Sequence, residues 1–278
     1  MNIFLPRSFR GDVKPPPGSH LNWAHPLSCG LQHCFIFNEG GGDLLIDHTG
    51  TCHADLVWPN TEDRTDSYWV PNGYFISNSS VFASRWDLKV NMDIRATDSM
   101  TMVWGGTNYG NGQMRLISKQ DGAGASQHDW MLGGDNTDVI RARINTGGST
   151  TTVVGAQTIP NDGVTAAQCA AVYDGANINL YMDDIADTSS SVTGAISQDS
   201  TVPVAVGGRA DAAGSQWHGN HYYAYVYYRA LTHAEINSLR YNPYQMFDQP
   251  AVPVQEIAAA GGLSIPVAMH SYRRRREG

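Results

Sequence analysis

Charge is scarce in this chain of 278 residues: Asp, Glu, Lys and Arg make up 16% of it, which argues against a helical bundle. No run approaches the roughly 20 apolar residues of a membrane-spanning helix. The opening Met1-Asn2-Ile3-Phe4-Leu5-Pro6 lacks the charged-then-apolar pattern of a secretion signal, so if the protein leaves a cell, the expected route is lysis or an assembly. Cysteine is limited to Cys29, Cys34, Cys52 and Cys169, too scattered for a disulfide scaffold; a Cys29–Cys34 bridge or free thiols are both open. Absent too are a phosphate loop, a dinucleotide fingerprint, a Gly-x-Ser-x-Gly elbow and a fixed-period repeat. His20, His25, His33, His48 and His53 crowd among the first three cysteines, but without the paired short spacings of zinc sites.

What is abundant is glycine, 29 residues, together with 10% aromatics, the mix of many strands joined by turns. Strands are expected at about 32–37, 44–47, 54–58, 73–77, 80–83, 88–94, 100–104, 113–118, 129–132, 139–144, 150–154 and 202–207. Turn clusters such as Gly105-Gly106, Asp121-Gly122 and Gly147-Gly148 separate them. Arg141, Arg143 and Asn145 alternate with Ile140, Ala142 and Ile144, the pattern of a sheet with one wet face. Ala170 to Asp174, Gly175 and Ile178 to Asp183 read as a hairpin. Near the end, the Tyr-dense stretch from Gln216 to Leu231 reads as a strand with Ala224 and Val226 facing the core and the tyrosine hydroxyls near water. Thr232 and Glu235 then form a capping box, and Ile236 and Leu239 give the following short helix one apolar face before Asn242-Pro243.

Charge is divided unevenly. Residues 1–30 and 248–278 hold seven of the 18 Lys and Arg and four of the 26 Asp and Glu; the rest of the chain carries a balance of −11. An acidic body argues against sequence-specific nucleic-acid binding there. Pro15-Pro16-Pro17-Gly18 with Arg7, Arg10 and Lys14 reads as an extended arm over 1–27, and 248–278, ending in Arg273, Arg274, Arg275 and Arg276, as a second.

Three segments carry a family resemblance: Cys34-Phe35-Ile36-Phe37-Asn38-Glu39-Gly40 through Asp47-His48-Thr49-Gly50; the hairpin at 170–184, with Asp184 in place of the usual turn glycine; and Gly219 through the Thr-capped helix. Together they resemble laminin-G-like (concanavalin A-like lectin/glucanase) jelly-roll domains. The resemblance implies an all-β antiparallel sandwich over 28–247 with a short C-terminal helix. The opening stretch from Trp23 to Gly42 is similar to versions in bacteriophage virion proteins.

From that likeness and the two arms, the leading expectation is a non-enzymatic capsid decoration or cement protein, made in the host cytoplasm and placed on the particle surface. Its arms would grip other virion proteins, foremost the major capsid protein, or further copies of the chain in a homo-oligomer. A second expectation is a lectin-like adhesion module on a tail or fibre that binds surface glycan. Its exposed platforms would come from Trp104, Tyr109, Trp130, Trp217 and Tyr222. A third, glycoside hydrolysis, needs paired carboxylates, and the relatives' Glu-x-Asp-x-x-Glu spacing is missing. No cofactor is expected. The family's calcium position matches at Asp47, but Tyr222 and Tyr223 stand where a later acidic residue belongs.

Overall fold

The computed structural model describes residues 13–57, 67–71, 73–76, 85–88, 98–110, 114–120, 128–197, 204–209 and 217–248. Its strands are β1 Leu31–Phe35, β2 Leu44–Leu45, β3 Ala54–Val57, β4 Tyr68–Val70, β5 Gly73–Ile76, β6 Arg85–Leu88, β7 Met100–Gly106 and β8 Met114–Gln120. They continue with β9 His128–Gly134, β10 Val139–Thr146, β11 Ser149–Thr158, β12 Ala167–Tyr173, β13 Asn177–Met182, β14 Ile185–Ser191, β15 Val204–Val206 and β16 Gly219–Tyr227, followed by the helix α1, His233–Tyr241. All pairings among the described residues are antiparallel. The first sheet runs β14-β13-β12-β7-β16-β5-β4, and β1 also pairs with β16. The second runs β11-β10-β9-β8-β15-β6-β3-β2.

The two sheets face each other across an apolar core. Met100, Met102 and Trp104 of β7, Cys169, Ala171 and Tyr173 of β12, and Ala224 and Val226 of β16 meet Leu116, Trp130, Leu132, Ile140, Ala142 and Ile144. This is the expected β-sandwich, and period-two alternation explains which residues enter it. On β10, Ile140, Ala142 and Ile144 point inward and Arg141, Arg143 and Asn145 outward, so the alternation holds, but the face expected to be wet is not: Arg141 and Asn145 are buried and Arg143 is partly buried.

The outer face of the first sheet is not wet. Val103, Ala170, Val172, Tyr223, Tyr225 and Tyr227 lie under a third layer made of Leu21, Leu27, Ile236, Leu239, Met246 and Phe247. The hydroxyls of Tyr223, Tyr225 and Tyr227, expected near water, are therefore buried and hydrogen-bonded instead. Tyr223 donates to Gln168 Oε1 at 2.9 Å and Tyr225 to the Pro243 carbonyl at 2.9 Å. The capping box forms as expected, with Thr232 and Glu235 satisfying each other's backbone N–H groups. Glu235 also receives a two-pronged ion pair from Arg229, at 3.0 and 2.7 Å.

Residues 13–27 belong to this cover rather than to a free arm. Lys14 donates to the Phe37 carbonyl at 3.1 Å, the Asn38 amide donates to the Pro15 carbonyl at 2.8 Å, and Leu21 bridges to Phe247. The expected boundary at residue 27 thus falls inside a packed layer, because Leu21 and Leu27 have apolar partners on the helix and tail. Arg7, Arg10 and Arg273 to Arg276 lie outside the described residues, as do the strand expected at 80–83 and nearly all of that at 88–94.

Two turns depart from the expected pattern. After β13, Asp183 adopts φ 53°, doing the job of the missing glycine, and its carboxylate accepts from the Gln168 N–H at 3.0 Å. The chain then returns as β14, a strand absent from the sequence reading because Ala-Asp-Thr-Ser-Ser-Ser carries no apolar alternation and forms an exposed edge. In β16 the register against β7 shifts between His221 and Tyr223, so Tyr222 is the extra residue of a bulge. The bulge resets the alternation, leaving His221 inward on one side and Ala224 inward on the other.

Candidate functional site

The five aromatic side chains expected as platforms separate into two groups. Trp104, Trp130 and Trp217 are 0–1% exposed and fill the core between the sheets. They are corrected from platforms to core: Trp104 shares its strand parity with Met100 and Met102, and Trp130 shares its parity with Leu132. The Trp104 indole donates to His221 Nδ1 at 2.8 Å and the Trp217 indole to the Thr107 carbonyl at 3.0 Å. Burial pulls the His221 imidazole down to about 3, which keeps it neutral as the acceptor of that bond.

Tyr109 and Tyr222 are the two that stay at the surface, and the fold brings them close enough to interact electrostatically. Tyr109, 45% exposed, follows β7 in the segment from Thr107 to Gly110. Its ring stacks on His218 at 5.3 Å and meets the edge of Phe75 at 5.6 Å. Phe75 in turn packs against Tyr68 at 5.1 Å, and Tyr68 is 52% exposed. Gly163 makes room for the Tyr109 ring: a Cβ there would stand 2.2 Å from Cε1, and its φ of 71° already favours glycine.

Tyr68, Phe75, Tyr109 and His218 thus form an aromatic strip on the outer side of the first sheet, at its β4–β5 edge. Sequence reading missed Tyr68, Phe75 and His218. Parity on β5 would have found Phe75, since its neighbours Tyr74 and Ile76 both enter the core.

Polar groups border the strip. The Asn220 amide donates to Thr107 Oγ1 at 2.9 Å, and exposed Asn161 donates to Asp138 Oδ2 at 3.2 Å. Asp138 Oδ1 accepts from buried Asn108 at 3.2 Å. Asp162 is taken up by Val164 and Thr165, and the Thr165 hydroxyl with the two backbone N–H groups holds its carboxyl below the usual range. The carboxylates at this end therefore serve as turn anchors.

A cavity of about 270 Å³ adjoins the strip beside Tyr222, lined by Lys14, Gly105, Ala166, Tyr223, Arg240 and Tyr244 among others. Gly105 is its floor, and the Tyr223 ring occupies the space where a Cβ would stand. Burial draws the Lys14 ammonium down to about 7 against the opposing pull of Glu39. Arg240 is held by Asp183 at 2.6 Å. Burial pushes the Tyr222, Tyr223 and Tyr244 phenols up, so they present neutral hydroxyls and ring faces.

Asp47 is not placed to hold calcium. It is 1% exposed, and its oxygens meet five partners: His33 Nδ1 at 2.7 Å, the N–H groups of Cys34, Thr49 and Cys52, and the Thr49 hydroxyl. A carboxylate so occupied locks the 47–52 turn onto β1. Among the described residues no three His, Cys, Asp or Glu side chains converge as metal ligands. All four cysteines are free thiols.

The sandwich and its site can be set beside known proteins. The family model of the concanavalin A-like lectin/glucanases superfamily matches residues 89–237. The chain belongs to that superfamily. Its sandwich is similar to domain 4 of AbnA, an extracellular GH43 arabinanase from Geobacillus stearothermophilus, solved with arabinotriose. The TM-score is 0.55 at 12% identity, over 76% of this chain and 98% of that one. The binding domain of Paraclostridial Mosquitocidal Protein 1 gives 0.54 at 14% identity, over 77% of this chain and 52% of that one. Trypanosoma rangeli sialidase gives 0.51 at 14% identity, over 84% of this chain and 36% of that one. At these identities the likeness is one of fold. No curated protein matches the chain.

Proposed function

We propose that this concanavalin A-like domain is a non-catalytic, lectin-like carbohydrate-binding module, with the strip of Tyr68, Phe75 and Tyr109 as its sugar-contacting surface. One observation carries the reading: where the apolar cover of the first sheet stops, aromatic rings come to the surface instead of being replaced by charge. A sugar ring presents a face of C–H groups that packs on an aromatic ring, while its hydroxyls need hydrogen-bonding groups at the side. Tyr109 supplies an exposed ring backed by His218, and Asn161 and Asn220 supply amides beside it. The arabinotriose complex of AbnA domain 4, a sandwich of similar fold, supports the same reading.

The decoration-protein reading draws on two arms. Residues 13–27 pack on their own body, which weakens that motive and favours a self-contained module. Attachment of such a module to a virion is a separate proposal, decided by whether the chain is present in purified particles.

The test of the binding reading is a broad glycan panel, with and without calcium, probed with the parent chain and Tyr109→Ala. The expected result is retention of at least one glycan and weakening of about tenfold in the variant, the loss of one well-packed aromatic contact. A blank panel for the parent, or equal binding by both proteins, overturns the reading.

A further inference from the structure

The cavity beside Tyr222 is lined by polar groups that the fold itself does not use. Its floor lies at the end of β7 and the start of β12, where Gly106 and Ala167 pair across the two strands. A Cβ at Gly106 would stand 2.0 Å from the Asn220 carbonyl oxygen, so this position of the floor stays bare. Small side chains beneath the cover leave a volume of about 270 Å³, walled by Tyr222, Tyr244 and Arg240. Tyr222 reaches this wall because it is the extra residue of the β16 bulge, which re-aims its side chain.

Two of the wall groups have hydrogen-bonding capacity to spare. Tyr244 is 6% exposed, and its ring meets Tyr223 edge-on at 6.1 Å, which fixes its place. Its neighbours Tyr223 and Tyr225 each donate to a protein acceptor, but the Tyr244 hydroxyl has no hydrogen-bond partner among the described residues. Native folds rarely leave a buried hydroxyl in that state. Burial pushes its phenol up, so it keeps a proton to donate as well as lone pairs to accept with. The Nε of Arg240 faces Asp183 Oδ1 at 2.6 Å, while its terminal Nη groups have no acceptor among the described residues. Lys14, also on the wall, is engaged: it donates to the Phe37 carbonyl at 3.1 Å and feels the Glu39 carboxylate. Each cation at the cavity thus has a carboxylate close by, and these four groups sum to no net charge.

We propose that this cavity holds the terminal unit of a neutral glycan chain, with Tyr244 and Arg240 hydrogen-bonding its hydroxyls and Tyr222 supplying the aromatic wall. A sugar hydroxyl both donates and accepts, which is what an unpartnered phenol and a guanidinium with free N–H groups can answer. An acidic sugar would bring its carboxylate beside Asp183, whose charge already answers Arg240. At about 270 Å³ the cavity falls just short of the roughly 300–1,000 Å³ that drug-sized ligands fill, room for one sugar ring rather than a run of them. The rest of the chain can leave past Tyr222 toward Tyr109, which lies close enough to interact with it. The inference rests on the carbohydrate-binding reading and deepens it, by naming neutral chain ends as what the module takes.

The test is calorimetric titration of the full chain with arabinotriose, xylotriose, cellotriose, maltotriose and, as the charged counterpart, trigalacturonate. The proteins compared are the parent, Tyr244→Phe, Arg240→Gln and Tyr109→Ala. The parent is expected to bind at least one neutral trisaccharide about tenfold or more above trigalacturonate. Tyr244→Phe should weaken that binding about fivefold and Arg240→Gln about tenfold, the loss of a neutral and of a charged donor. Because the Tyr244 hydroxyl has no protein partner, Tyr244→Phe should keep the parent's urea midpoint. End recognition is read from stoichiometry: the polymer of the preferred sugar, shortened by mild acid, should bind more protein per gram in proportion to its chain ends. Preference for trigalacturonate, a lowered midpoint in Tyr244→Phe, or protein bound per gram that ignores chain length overturns the site. So does binding that Tyr109→Ala weakens and Tyr244→Phe leaves unchanged, an outcome that spares the carbohydrate reading. Failure of that reading itself shows differently, as a parent chain that binds none of these saccharides.

Discussion

The two sheets share one core yet treat their outer faces in opposite ways. On the first, β16 places Tyr223, Tyr225 and Tyr227 outward, and the chain spends residues 21–31 and 231–247 covering them. On the second, β8 and β10 place Arg115, Arg141 and Arg143 outward. An apolar outer face demands a third layer; a charged one demands counter-charge, water or ligand. The contrast explains why the aromatic strip stands out. It is the part of the apolar face left outside the third layer.

The largest test of that contrast is the cover itself. Leu239→Ala removes a fully buried side chain where α1 packs on the tyrosines, and should lower unfolding free energy by about 2–5 kcal/mol in urea denaturation. A loss below about 1 kcal/mol would mean the cover folds apart from the sandwich, and the comparison of faces would fail.

Next comes the interior that both faces share. His221 has a folded pKa of about 3 against an ordinary 6.5, so the unfolded chain takes up a proton that the folded one refuses. Stability is therefore full above about pH 6.5 and falls as pH drops toward 3, by roughly 2 kcal/mol over the first one and a half units. His221→Gln keeps an acceptor for the Trp104 indole and should flatten this part of the thermal-stability profile. An unchanged acid slope in that variant would show that other groups set it.

Much of this architecture was legible in the residues. The alternation on β10, the Asp-Gly turn after β12 and the capping box each name their own structure, because each depends on a handful of neighbours in sequence. The outer cover was not legible. Nothing local to Tyr225 says that Pro243 will sit over its hydroxyl. Nor does the local sequence around Tyr222 announce a bulge; it arises where β16 must serve β7 along its length and share its other edge between β1 and β5. The tryptophans mislead for a simpler reason: burial of a ring is decided by strand parity, and Trp104 carried that signal in Met100 and Met102. Asp47 drew attention as an acidic turn residue, and only the converging His33 and backbone N–H groups reveal its work.

A smaller effect probes how the cover is held. Thr232→Ala removes the side chain that caps α1 and should cost about 1 kcal/mol, read as a lower urea midpoint with an unchanged slope. Glu235 keeps its bonds to Arg229, so the helix should remain docked and the tyrosine environment unaltered by near-ultraviolet circular dichroism. A loss of several kcal/mol would assign the cap a role in docking as well as in helix initiation.

The smallest effect is expected on the charged face, and its sign matters more than its size. Arg115 is as buried as Leu239, so a count of buried atoms predicts that replacing it is equally harmful. Electrostatics predicts otherwise. Its hydrogen-bond acceptors are neutral, and three guanidinium groups repel it. Arg115→Met retains most of the apolar stem while removing a desolvated charge, a replacement that is often neutral or stabilising. Without added anion, the variant should lie between equal stability and about 1 kcal/mol above the parent in urea denaturation. A large destabilisation would mean that Arg115 is held by favourable interactions, and the two outer faces would then differ in chemistry but not in how they support the fold.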